Sequence, residues 1–356
     1  MSPEPRAGAA RWPKALMGLG VAALVLGVAE GITRGLHGPP PPPVVVLSGP
    51  SMAAGWLGVD GDTIVPVYMT DEAYGARFSV QSDTPRVVFL GGSTVHGGSA
   101  LPLASEFPSI VGERLGVSTL NLAWPGMDSF EILDLFEDLV ALDPAPRMDA
   151  VVITTGHNDY GNLYFTQRFA DYSGGLRAHT RALFEHSAVY VSMRRTLLHS
   201  APLTAPVGGM ASGDPNFAVS PAARDTASRY LEANLRRLVW RAEQANIPVV
   251  LVVPGSNDRL APVGMACPAL PCARAAYEAG EFTTARDLDP VPLRAPTQGR
   301  ERVRTVARGL DLPMIDAEAL LTDPAQFIDH VHLSAAGHQA LGVAVADTLR
   351  STVLSE

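Results

Sequence analysis

Three features of the sequence predict an α/β fold, a three-layer α/β/α arrangement around a parallel sheet of about five strands. Short apolar runs occur at 87–90, 119–122, 150–154, 248–253 and 313–316. Helix-period segments lie between them, and polar residues follow the strands at their carboxyl ends. Strands that read as continuous hydrophobic runs and alternate with helices belong to a sheet covered on both faces. A hydrophobic helix precedes this body at the N-terminus.

The 356 residues are 47% apolar and 18% charged, which marks a globular chain with enough apolar surface for a sizeable core. A formal net charge of −9 leaves no basic footprint for nucleic acid.

Along the chain, Arg6, Arg11 and Lys14 precede an apolar stretch at 15–29, which Glu30 interrupts before 32–36. Residues 1–36 therefore read as either a membrane anchor or a cleaved export signal. Both place the body outside the cytoplasm, at the cell envelope or secreted. Residues 37–50 contain five consecutive prolines, 39–43, and form a stiff linker. Residues 51–85 lead into the main domain, with a short strand near 63–68. The main domain runs from 86 to 356. Its helices are expected at 105–115, 129–142, 222–245 and 335–349, each with apolar residues on one face.

Chemistry centres on 86–97, RVVFLGGSTVHG. A strand breaks at Gly91-Gly92 and offers Ser93 at the carboxyl edge of the sheet, where open α/β folds bind ligands. Acyl transfer by a serine needs a base, and imidazole suits neutral pH. That base needs an acceptor on its other nitrogen. Asp329 and His332, three residues apart, supply both. The N–H groups of Ser93 and Gly126 and the side-chain amide of Asn158 would stabilise the oxyanion. Around this core, His96, Trp124 and His157 are candidates to touch substrate. Each also has a structural reading: Trp124 as a core aromatic, His157 as a satisfied buried histidine. Arg294 would bind an anionic substrate group or close a salt bridge. Cys267 and Cys272 would close a small disulfide loop in an exported chain, or remain free thiols. No metal site or other cofactor is expected from them.

GGST at 91–94, Gly126, GHND at 156–159 and DHVH at 329–332, in that order, resemble the SGNH/GDSL hydrolase superfamily. The resemblance spans roughly 86–350. It implies a flavodoxin-like sheet, Ser93 as nucleophile, His332 as base with Asp329 orienting it, and an oxyanion hole of Ser93, Gly126 and Asn158. It also implies an esterase acting on a small-molecule or glycan ester. Two departures stand out: GGST lacks the aspartate of GDS, and a long insertion occupies 255–295. Within it, ARDLDPVPLRAP is similar to a stretch in one bacterial subgroup of these hydrolases. The same residues would serve acyl transfer to, or deacetylation of, a cell-envelope glycan. A non-catalytic envelope-binding module is the remaining alternative. Oligomeric state is not written in the sequence.

Overall fold

The computed structural model describes residues 24–35, 57–60, 63–66, 78–79, 82–97, 103–143, 145–165, 189, 219–264 and 272–354. The proline linker, Cys267 and residues 1–23 lie outside this set. Helix α1 (residues 24–35) leaves Leu24, Val25, Leu26, Val28 and Ile32 exposed. Among the described residues, no helix is long and apolar enough to cross a membrane.

The lead-in forms a small antiparallel meander of β1 (Leu57–Asp60), β2 (Thr63–Pro66) and β3 (Phe78–Ser79). Its Leu57 and Ile64 are buried in the main core.

The central sheet holds five parallel strands. They are β4 (Arg86–Gly91), β5 (Ser118–Asn121), β6 (Ala150–Thr154), β7 (Val249–Val253) and β8 (Met314–Asp316). Their spatial order is β5-β4-β6-β7-β8, the flavodoxin-like order in which the chain reverses direction across the sheet at β4 and β6. Strand alternation divides the side chains between two cores. Val88, Leu90, Val151, Ile153, Val249 and Leu251 face one, packed under α4 (Ser129–Ala141), α6 (Pro221–Gln244) and α9 (Thr297–Gly309). Val87, Phe89, Val152, Val250 and Val252 face the other, under α3 (Phe107–Leu115), the short α10 (Ala317–Leu320) and α11 (Ala335–Thr352). Each fully buried aliphatic side chain contributes roughly 1.5–3 kcal/mol, so these two layers hold the carboxyl edge of the sheet rigid.

The helices end where their chemistry says they should. Asp128 closes a capping box with Glu131 ahead of α4, Ser220 and Ser334 cap α6 and α11, and Gly116 ends α3 in the left-handed region. The insertion contributes α7 (Ala273–Glu278) and α8 (Phe282–Leu288), one helical hairpin, and its core is ionic. The side chains of Arg286 and Arg300 are wholly buried. Arg286 donates to Asp258 at 2.6 Å and to Glu318 at 3.0 Å, and Arg300 pairs with Glu318 at 2.5 Å. Buried guanidinium groups survive only with carboxylates this close. Cys272 is disulfide-bonded.

Candidate active site

Ser93 opens α2 (Ser93–His96), directly after β4 and the extended Gly92. As the first residue of a helix, its amide has no partner inside that helix. Both preceding glycines are required by close approach. A Cβ on Gly91 would run into Val95, and one on Gly92 would run into the Asn158 amide.

The chain returns to this serine 239 positions later. His332 Nε2 lies 2.8 Å from Ser93 Oγ, and His332 Nδ1 lies 2.6 Å from Asp329 Oδ2. Asp329 Oδ1 accepts the amides of Val331 (2.9 Å) and His332 (2.8 Å), which closes the turn. A bridge between Phe327 and Leu333 frames that turn. Burial pushes Asp329 up. The His332 side chain and the amides of His332 and Val331 outweigh it and hold the carboxyl below the usual carboxylate range. An ionised Asp329 fixes the proton on His332 Nδ1 and leaves Nε2 to accept from the serine hydroxyl.

The third loop is a type II turn built by its sequence. Trp124 N–H donates to Gly91 O, Met127 N–H returns to Trp124 O, and Pro125 and Gly126 take the two central places. Gly126 adopts φ +89°, the left-handed value that this turn requires at its third position. Asn162 donates to Gly126 O (3.2 Å) and Asp128 Oδ2 (2.7 Å), pinning the turn. Asn158, at the start of α5 (His157–Phe165), donates from Nδ2 to Met127 O at 2.8 Å. An amide nitrogen carries two hydrogens, so this bond aims the group and leaves the second hydrogen for a ligand. Asp159 binds the loops behind, accepting from Thr155 Oγ1 (2.9 Å), Gly156 N–H (3.1 Å) and Ser129.

Ser93, Asp329, His332, Gly126 and Asn158 thus stand on neighbouring loops at one edge of the sheet. The other candidates are held by contacts of their own. His157 is buried: its Nδ1 accepts Ala295 N–H and its Nε2 donates to Gly255 O, each at 3.0 Å. Burial, with Arg300 second, lowers its pKa to about 3, so it is neutral and structural. His96 is buried with its ring edge-on to Trp124, 5.3 Å between centroids, and Trp124 packs on the core. Arg294 is 1% exposed and donates inward to Asn257 O and Leu260 O, beside Asp289. It is a structural arginine: Nη1 is spent on two carbonyls of its own insertion, and Nη2 faces Asp289 at 3.5 Å.

One buried acid escaped the sequence reading. Glu106 is 2% exposed, packed behind α2 where any Cβ on Gly97 would clash. Burial raises its pKa to about 7 against a smaller lowering by Asn121. Between its ordinary value near 4.5 and about 7, the folded chain holds a proton that the unfolded chain has lost. Stability therefore falls as pH rises through that window, by up to about 1.4 kcal/mol per unit. Glu106→Gln is expected to flatten that decline, read as urea midpoints at pH 5 and pH 7.5. A slope identical to wild type refutes the assignment.

The model of the GDSL-like lipase/acylhydrolase family matches residues 89–340, most of the chain. The protein belongs to that family. It is accordingly a hydrolase of ester bonds. Solved structures similar to it include a lipolytic protein of the G-D-S-L family from Desulfitobacterium hafniense, at 12% identity. There 74% of this chain and 99% of the other are covered, with a TM-score of 0.41. A lipase/acylhydrolase from Enterococcus faecalis is 14% identical over 75% and 96%, TM-score 0.41. An acetylxylan esterase from Geobacillus stearothermophilus is 17% identical over 76% and 95%, TM-score 0.40. No curated protein matches the chain.

Proposed function

We propose that the protein hydrolyses carboxylic esters through a serine-bound acyl intermediate, outside the cytoplasm. Ser93 Oγ attacks the carbonyl carbon while its proton passes to His332 Nε2. Asp329 keeps the imidazole in the required tautomer and stabilises its charged form. The developing oxyanion is met by the N–H groups of Ser93 and Gly126 and the free hydrogen of Asn158 Nδ2. His332 returns the proton to the leaving alcohol. It then takes one from water, whose oxygen attacks the acyl carbon, releasing the acid and restoring Ser93. Water is the only co-reactant. Substrates are small-molecule or glycan esters.

The continuous relay of 2.8 Å and 2.6 Å from Ser93 through His332 to Asp329 carries the reading. The disulfide at Cys272 supports an oxidising compartment, reached through the N-terminal apolar segment as signal or anchor. A fluorophosphonate probe tests the chemistry. Covalent labelling of the wild type that disappears in Ser93→Ala supports it, and labelling that persists in the variant removes it.

Gly92→Ala tests the oxyanion donor without touching the relay. The added methyl displaces the Asn158 amide. The expected loss in kcat is about a hundredfold or more, as for losing one oxyanion donor. A variant with wild-type kcat would take Asn158 out of the mechanism.

A further inference from the structure

The insertion and the turn that carries Asp329 and His332 meet at one residue. His330 sits between them in sequence, and its side chain is directed away from the relay. Its Nε2 donates to Ala261 O at 2.9 Å, and its carbonyl accepts Asn257 N–H at 3.0 Å. Both partners belong to the 254–261 loop that follows β7.

That loop is fixed from behind by buried charge. Arg294 Nη1 donates to the carbonyls of Asn257 (3.1 Å) and Leu260 (2.9 Å). Asp289 accepts the amides of Val263 (2.7 Å) and Gly264 (2.9 Å) just beyond. Arg300 reaches Ser256, and Arg286 reaches Asp258. The insertion therefore builds a shelf against the outer side of the relay, and His330 is the side chain of the DHVH block that rests on it.

We infer that His330 is a positioning residue: by fastening the Asp329–His332 turn to the insertion, it keeps the imidazole aimed at Ser93 Oγ. The turn needs such a fastening because it stands at the surface, with the side chains of Asp329 and His332 46% and 33% exposed. Two hydrogen bonds in series tolerate little tilt, and a displacement of about 1 Å at a reacting group costs up to a hundredfold in rate. The structure thereby gives the insertion a task in the reaction. The inference rests on Ser93 and His332 being nucleophile and base.

His330→Ala, His330→Gln and Ser93→Ala, made in the full chain, test it with p-nitrophenyl acetate. Turnover of the two His330 variants and the wild type is normalised to sites titrated by a fluorophosphonate, so poor folding does not mask the result. His330→Ala is expected to lose about tenfold in kcat with KM within about twofold, the signature of a misaimed base. The low-field Nδ1 proton of His332 should broaden or shift in its NMR spectrum. His330→Gln, whose amide reaches the same carbonyl, should recover kcat to within about twofold of wild type. A His330→Ala kcat within twofold of wild type overturns the inference, as does a loss confined to KM or one that Gln does not relieve. Ser93→Ala with wild-type turnover would sink the underlying mechanism instead. An inactive Ser93→Ala beside an unimpaired His330→Ala sinks the positioning role alone.

Discussion

Ser93→Ala is expected to lower kcat for an activated ester by about ten-thousandfold or more while leaving the thermal midpoint close to wild type. Removing the nucleophile of a relay of this kind leaves only binding and oxyanion stabilisation, a residual about 10³–10⁴ above water. The fold should tolerate the change because Ser93 Oγ bonds His332 at the protein surface and supports no core contact. Stopped assays with p-nitrophenyl acetate and a melting curve on the same preparation decide the matter. Retention of more than about one part in a hundred of wild-type kcat would move the nucleophile elsewhere.

Asp329→Asn is expected to cost nearly as much, about a thousandfold to ten-thousandfold in kcat, for a different reason. An asparagine oxygen still accepts the amides of Val331 and His332, so the turn closes. Its other arm, however, is now an NH₂ facing His332 Nδ1. The imidazole must then accept there and carry its proton on Nε2, where it can no longer receive one from Ser93. KM should stay nearly constant, since nothing that holds the acyl group has changed. A variant that keeps kcat within tenfold would mean that Asp329 only shapes the loop. Because its own partners hold Asp329 below the carboxylate range, the acid limb of the wild-type pH profile is not expected to come from it.

Much of this layout is legible in the residues. All five strands overlap the short apolar runs, because a parallel sheet buried on both faces leaves little room for polar alternation. Asp329 and His332 are also legible as a pair, since three residues of spacing in a tight turn bring them to one side. Sheet order is not carried by the strands themselves. It follows from which loops meet, and only the motif resemblance supplied it. What stayed hidden depends on partners far away in sequence. Arg286, Arg294 and Arg300 look like surface charge, yet they are buried because Asp258, Asp289 and Glu318 come to them from other loops. Part of the inward face of α9 is likewise arginine, with Arg300 and Arg304 buried beside Val303 and Val306. The contact between Gly92 and Asn158 is equally invisible, because a glycine shows in sequence only as a place where something is missing.

The 239 residues between Ser93 and His332 have a consequence for biogenesis. In order of synthesis the hydroxyl precedes, by those 239 residues, the imidazole that it meets in the folded chain. On the proposed mechanism, a chain that stops short of His332 carries an inert alcohol, and the relay exists only once the turn at 329–332 has docked beside Ser93. Under that mechanism, ester hydrolysis reports that two segments made far apart in time have folded against each other.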